Sequence, residues 1–423
     1  MKICMMTNTY LPHVGGVARS VSTFVEEYQR LGHEVLVVAP RLPGRMTKKA
    51  ESVVERVAAI QNFNGSDFSV RLPLAATMSE RLDAFEANII HAHHPFLLGD
   101  TALRVATNRS VPVIFTHHTK YEDYVHYLPF ASPAVRRAAI QMSTEYANLC
   151  DGVIAPSASI ANLIRRRGVE VPIRVVPTGV DTKAFAAGNG ARARQRYKIP
   201  PGTFVVGHVG RLAPEKNLRY LAEAVALFLK RNPTARFLVV GSGPAEADLK
   251  LVFERRGLAD RLILAGSQSG RNLHDAYKAM DLFAFSSKSE TQGLVIAEAM
   301  SAGLPVVAVR ASGVREVVRS GENGIMVGPT APAAEFARQL GRVAAQGRRL
   351  DAFRRAALAT AANFSRGHCA EQALAFYDEI RRATRRERRV TAQSTLLTLQ
   401  ERLSVEWDIL TRNARALTTA LAS

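Results

Sequence analysis

The feature that most constrains this chain is a series of short, unbroken apolar runs separated by helix-length segments, and the series starts over half-way. KICMMTNTY opens it; HEVLVVAP, EANIIHAHHP, VPVIFTHH, DGVIAPS and IRVVPTGVD follow. A continuous apolar run of this length is the pattern of a parallel strand covered by helices on both faces. The turn LPHVGG and a helix predicted from about Val17 to Leu31 join the first two runs, a βαβ unit with glycines at its first turn. At TFVVGHVGRL the pattern restarts, with NLRYLAEAVALFLKRN as the next helix and ARFLVVGSGP, RLILAGS, DLFAFSS and LPVVAVRASG as further runs. Two doubly wound α/β domains in tandem are therefore expected.

At 423 residues the chain is too long for one core. The seam is predicted near Pro177–Asp181, giving domains over 1–180 and 181–365. Between them, AAGNGARARQRYKIPPG (186–202) reads as a surface loop with a helical turn just after it. Residues 366–390 read as a helix that returns to the first domain and ends in the arginine-rich run RRATRRERR. In 391–423, Leu396, Leu399, Leu403, Trp407, Leu410, Ala414, Leu417 and Leu421 recur every three or four positions, an amphipathic helix. Its mixed polar face suits packing back on the protein or pairing with another subunit to form an oligomer; lying on a membrane is the third option.

Charge narrows the partners. Lysine and arginine total 56 against 37 aspartates and glutamates, a formal net charge of +19. That balance favours nucleic acid, anionic lipid or phosphorylated substrates. A nucleic-acid binder would carry a base-reading helix or an aromatic sheet, and no such motif is found. The scattered Cys4, Cys150 and Cys369 make neither a disulfide framework nor a zinc ribbon and fit a reducing compartment. The opening residues carry no secretory apolar region, and no stretch approaches the ~18–20 apolar residues of a spanning helix, so a cytoplasmic protein is expected.

SETQGLVIAEAMSAGLP (289–305) places Glu290 and Glu298 eight positions apart. On one helix they would stand about 12 Å apart along the axis and about 80° around it. Two carboxylates acting on one glycosidic bond need about 5–9.5 Å. The spacing speaks for two anchors on one long ligand rather than an acid/base pair, with two solvated surface acids as the alternative. The amides of Thr291 to Val295 lie at a helix N-terminus, which favours an anion. In VGRLAPEKN, Arg211 and Lys216 follow a strand of the same domain, where a doubly wound sheet binds a diphosphate. In the first domain, HVGG puts Gly15 and Gly16 at a βα turn where backbone approaches phosphate closely.

GRLAPEKN, GSGP, SETQGLVIAEAMSAGLPVVA and PTGVD resemble the retaining glycosyltransferases of family four, over roughly residues 1–380. The resemblance implies the GT-B architecture: two Rossmann-like doubly wound domains facing a central cleft, here with a C-terminal amphipathic helical extension. It implies that Arg211 and Lys216 hold the donor diphosphate, Glu290 binds hydroxyls of the transferred hexose, and Glu298 binds the nucleotide ribose. Backbone amides of Gly293, Leu294 and Val295 would complete the phosphate site. Gln292 stands where many members have phenylalanine. A narrower resemblance, in HAHHPFLLGDTALRVA followed by THHTKYEDYVHYLP and in ETQG, is to bacterial enzymes that make α-monoglycosyl-diacylglycerols. It implies an acceptor pocket in the first domain. There Tyr121, Tyr124, His126 and Tyr127 form either a wall of the acceptor channel or a packed helix face.

Five of the eleven histidines, His91, His93, His94, His117 and His118, cluster on the ends of two runs. A zinc site would want an acid or cysteine at ligand spacing, and none is near, so no metal is expected. His118 matches the active-site histidine of the family and by that resemblance hydrogen-bonds the donor hexose near the reacting carbon. His93 is a weaker candidate.

The mechanism implied is transfer from a uridine-diphosphate hexose. Arg211, Lys216 and the helix N-terminus stabilise the leaving diphosphate, so no cofactor is needed and metal independence is expected. The leaving phosphate takes the acceptor proton, and attack on the same face retains configuration. With diacylglycerol as acceptor, the positive charge docks the enzyme peripherally on the anionic inner face of the cytoplasmic membrane. Rival acceptors are phosphatidylinositol or a saccharide; a basic nucleic-acid-binding protein is the rival of another class.

Overall fold

The computed structural model describes residues 1–13, 15–41, 51–57, 59–60, 70–71, 76–123, 132–288, 290–345, 348–391, 404–409, 411–413 and 415. The chain divides into two compact units. Unit 1 comprises Met1–Thr178 with Cys369–Ser423, and unit 2 comprises Gly179–His368.

Unit 1 is built on β1 (Lys2–Met6), β2 (Glu34–Pro40), β3 (Val54–Val57), the short antiparallel pair β4 (Ala59–Ile60) and β5 (Val70–Arg71), then β6 (Ile89–Ala92), β7 (Val113–Thr116), β8 (Gly152–Ala155) and β9 (Ile173–Val175). The main sheet is parallel, in the order β3-β2-β1-β6-β7-β8-β9. Unit 2 carries β10 (Val205–Val209), β11 (Arg236–Val240), β12 (Leu262–Leu264), β13 (Leu282–Phe285), β14 (Val306–Val309) and β15 (Gly324–Val327), also parallel, in the order β12-β11-β10-β13-β14-β15. In each sheet the order runs outward one way from the first strand and then jumps to its other side. A doubly wound sheet opens a ligand crevice beyond the carboxyl ends of the two strands at that reversal. The crevices therefore lie between β1 and β6 in unit 1 and between β10 and β13 in unit 2.

The apolar runs are continuous because both faces of each strand are buried. On β1, Cys4 and Met6 join one core while Ile3 and Met5 join the other. On β13, Leu282 and Ala284 face one core and Phe283 and Phe285 the other. Each of the larger of these side chains, Ile3, Met5, Met6, Leu282, Phe283 and Phe285, contributes on the order of 1.5–3 kcal/mol when fully buried. Helix Leu218–Arg231 covers one face of the unit 2 sheet with Leu218, Leu221, Ala222, Val225, Phe228 and Leu229, one apolar stripe at helical spacing. Helix Gly16–Arg30 plays the same part in unit 1 through Val21, Phe24, Val25 and Tyr28. The helix Arg366–Thr391 adds Phe376, Tyr377 and Ile380 to that core.

Two expectations need correction. The stretch predicted as a surface loop over 186–202 contains the helix Gly190–Arg196. Asn189 caps it, accepting the Arg192 amide at 2.9 Å, and Arg192 and Arg194 reach the carboxylates of Asp275 and Asp281. Glycine and alanine content suggested a loop; a side-chain cap and two ion pairs to distant acids make it a helix. In the C-terminal extension, residues 404–409 and 411–413 are helical, and the packed face is not the one that includes Trp407. Trp407 is 70% exposed, whereas Ile409 and Arg412 are buried in unit 1. Arg412 donates from Nη1 to the Pro95 carbonyl at 3.1 Å and from Nη2 to Asp100, and its guanidinium lies 5.4 Å from the centre of the Tyr146 ring. An arginine with these partners outweighs the hydropathy of the tryptophan in choosing the buried face. Leu396, Leu399, Leu403, Leu410, Ala414, Leu417 and Leu421 lie outside the described residues.

Candidate active site

Unit 2 presents a charged pair at its crevice. β10 ends at Val209, and the chain runs through Arg211 into a single helical turn, Pro214–Lys216. Asn217 then takes a left-handed conformation and starts helix Leu218–Arg231. The turn is fastened to the end of β13 by Ser286, whose hydroxyl donates to the carbonyls of Lys216 (2.8 Å) and Asn217 (3.1 Å). This fixes the backbone from which Lys216 projects. Its Nζ meets Glu290 Oε1 at 2.5 Å, an ion pair with side chains 22% and 15% exposed. Arg211 lies further out and pairs with Glu215.

Glu290 sits just before helix Leu294–Ser301. Gly293, at φ +76°, makes the left-handed turn into that helix, a conformation that favours glycine. Gly313 lies against the same turn: a Cβ there would come within 2.5 Å of the Gln292 nitrogen, and its own amide donates to the Glu290 carbonyl at 3.0 Å. The first-turn amides of Leu294 and Val295 have no carbonyl a turn below them to bond, so they remain available to an anion. Glu298 is inside the helix and 1% exposed, and Tyr277 donates to its Oε2 at 2.8 Å. The two glutamates thus occupy different settings, one partly buried against a lysine and one fully buried with a phenol.

Unit 1 presents neutral rings. Gly15 and Gly16 follow β1 at the start of helix Gly16–Arg30; Gly15 is extended, and a Cβ at Gly16 would meet nothing within 4 Å. Protein packing therefore leaves open space in front of Gly16. His93 follows β6 and His118 follows β7, and their Nδ1 and Nε2 atoms stand 2.9 Å apart with the rings stacked. His91 lies against the other side of His93 at 4.0 Å between ring centres. Its nitrogens are held by Thr116 Oγ1 (2.6 Å) and by the hydroxyl of Tyr377 (2.5 Å), to which Tyr28 donates. Burial lowers the pKa of His91 from the usual 6.5 to about 3. Burial, then the neighbouring histidines, pushes His93 and His118 well below it, so the cluster is uncharged at neutral pH. Among the described residues no group of three His, Cys, Asp or Glu side chains is arranged to hold a metal ion. Tyr121 packs edge-on against His117 and Phe96. Tyr124, His126 and Tyr127 lie outside the described residues.

Comparison with known proteins gives this layout a family. The model of Glycosyltransferase Family 4 matches residues 14–184, and that of Glycosyl transferases group 1 matches residues 190–359. The alpha-monoglucosyldiacylglycerol synthase of Streptococcus pneumoniae (strain ATCC BAA-255 / R6) is 30% identical over 314 residues, 73% of this chain and 71% of that relative. The chain belongs to the family-four glycosyltransferases.

This glycosyltransferase also resembles a GDP-mannose-dependent alpha-mannosyltransferase of Mycobacterium tuberculosis (strain CDC 1551 / Oshkosh), 29% identical over 344 residues, 80% of this chain and 86% of the relative. Among solved structures, Anabaena Alr3699/HepE in complex with UDP matches with a TM-score of 0.71 at 22% identity, over 90% of this chain and 100% of that one. That is a likeness of fold, and the fold of the glycosyltransferase is GT-B, with two Rossmann-like parallel-sheet domains. The sequence places Lys216 and His118 just after strands and Glu290 just before a helix, and the structure brings Lys216 to Glu290 and His118 to His93. Sequence reasoning did not single out Ser286, Asn217, Tyr277 or Tyr377. The run DLFAFSS contains Ser286, and nothing in it specifies that this hydroxyl reaches the Lys216 and Asn217 carbonyls.

Proposed function

We propose that this glycosyltransferase moves a hexose, with retention, from a uridine-diphosphate sugar to the hydroxyl of diacylglycerol at a membrane surface, forming an α-glycosyl-diacylglycerol. The observation that carries the reading is the Lys216–Glu290 pair beyond the reversal of the unit 2 sheet, next to a helix N-terminus. An ammonium has three protons to donate. Glu290 takes one, which leaves two for phosphate oxygens of the donor. The β-phosphate of the donor gains a second unit of negative charge as the sugar–oxygen bond breaks. Lys216, Arg211 and the amides of Gly293, Leu294 and Val295 stabilise that charge where it develops. These groups do the work for which a divalent cation would otherwise serve. Glu290 Oε2 accepts from hydroxyls of the hexose and Glu298 from the ribose, the two anchors of one long ligand. In unit 1, Gly15 and Gly16 admit phosphate close to the backbone and His118 bonds the hexose near the reacting carbon. The acceptor hydroxyl gives its proton to the departing phosphate as it attacks the same face.

The lipid acceptor is supported by the name of the pneumococcal relative and by the net charge of +19. Basic side chains near an anionic surface contribute about 1 kcal/mol each to docking, and no described helix is long and apolar enough to cross a membrane. Purified protein incubated with diacylglycerol in anionic vesicles and with UDP-glucose, UDP-galactose or GDP-mannose should yield a glycosylated diacylglycerol from a UDP sugar, read by lipid mass spectrometry. Product only from GDP-mannose overturns the donor. Transfer only to phosphatidylinositol or to a soluble saccharide overturns the acceptor.

A further inference from the structure

His93 is fully buried, and one of its ring nitrogens, Nε2, has no hydrogen-bond partner among the described residues. The other, Nδ1, is 2.9 Å from Nε2 of His118. Two neutral imidazoles at that distance share one proton, and each ring carries only one N–H. Two arrangements are open. If His118 donates from Nε2, His93 must carry its own proton on Nε2, where nothing receives it. A buried N–H without an acceptor keeps its full desolvation penalty and is the rarer kind of orphan. If His93 donates from Nδ1, only a lone pair is left over on Nε2, and the proton of His118 resides on Nδ1.

The surroundings hold His93 in place for this. Tyr28 donates to Tyr377, so the single Tyr377 proton goes to His91 Nδ1 and the His91 proton to Thr116. His91 is thereby fixed in tautomer and orientation, and its ring packs against His93, tilted by 40° with the ring centres 4.0 Å apart. Of the five clustered histidines, His118 alone is not fully buried.

We propose that His93 is a positioning residue for glycosyl transfer: its Nδ1–H holds His118 as the Nδ1–H tautomer, so that the more exposed ring offers a donor, not an acceptor, to the sugar. The proposal rests on the reading of His118 as a site residue. The pillar Tyr28–Tyr377–His91 fixes His93, and His93 fixes His118.

The test measures the proton directly. In full-length protein with ¹⁵N-labelled imidazoles, long-range ¹H–¹⁵N spectra should show His118 protonated at Nδ1. In His93→Leu that signature should shift to the Nε2–H form, with kcat down about 10- to 100-fold and the donor KM within about threefold, the pattern of a misoriented histidine. His93→Asn, whose side-chain N–H stands where Nδ1–H stood, should restore the tautomer and most of kcat. Wild-type His118 found protonated at Nε2 overturns the proposal without recourse to any variant, as does a His118 tautomer indifferent to His93→Leu. A His118→Ala variant with full turnover overturns the site role of His118, whatever tautomer His93 imposes.

Discussion

The two sheets reverse strand order in the same way, yet what they hold at the reversal is opposite in kind. Unit 2 sets a lysine and a glutamate against each other with their side chains partly open to water. Unit 1 sets histidines against one another, stripped of charge by burial. The same topology thus carries a charged pair in one unit and uncharged rings in the other. The difference teaches that a doubly wound crevice dictates where a ligand sits, while the residues at the strand ends decide its charge.

The sharpest way to break the contrast is Lys216→Ala. Loss of a donor aimed at developing charge should cut kcat by ~10²–10³, about 3–4 kcal/mol, while donor binding by calorimetry weakens less than about tenfold. Normal turnover would remove Lys216 from the phosphate site. Next comes Arg412→Ala, which leaves Asp100 without its buried partner and should destabilise unit 1 by about 3 kcal/mol in urea. Turnover at low temperature should hold, because the contact is to scaffold; equal loss in stability and kcat would tie the C-terminal extension to the site. Glu290→Gln keeps shape and removes charge. About 2 kcal/mol should be lost from kcat/KM, and selectivity between UDP-glucose and UDP-galactose should narrow, since Glu290 is assigned to the hexose. An unchanged preference would move the specificity elsewhere.

Acid should separate the units by smaller steps. Buried His91 and His94 have folded pKa values of about 3 and His117 of about 4, below the ordinary 6.5. The unfolded chain therefore binds protons first as pH falls. Stability is fully present above pH 6.5 and is lost progressively below it, by up to ~1.4 kcal/mol per pH unit for each such histidine. Unit 2 carries one comparable group, His208, lowered to about 4 by burial. Core amides of unit 1 should therefore lose hydrogen-exchange protection at a higher pH than those of unit 2. Coincident transitions would erase the distinction.

Much of the fold was legible because parallel strands buried on both faces write themselves as continuous apolar runs. LFAF of β13 is half in one core and half in the other, and only a doubly covered strand accepts that. The unit 2 site was legible for a related reason: Arg211, Lys216, Glu290 and Gly293 lie within short stretches whose local geometry is set by a strand end and a helix start. The rest depended on contacts between distant parts of the chain. His93 and His118 are 25 residues apart and meet because β6 and β7 are neighbours. Tyr377 reaches His91 across 286 residues. The helix Gly190–Arg196 needed Asp275 and Asp281, and the inward turn of Arg412 needed Asp100; neither acid announces its partner.

Unit 2 begins and ends at one spot: the Val180 amide donates to the Phe364 carbonyl at 2.7 Å and the Arg366 amide to the Val180 carbonyl at 3.1 Å. Everything unit 2 needs is thus encoded before Phe376, Tyr377 and Ile380. Unit 1, first to be translated, has to wait with part of its apolar face bare until those residues arrive. A released fragment ending at residue 368 would therefore carry all of unit 2 beside a unit 1 that lacks part of its core.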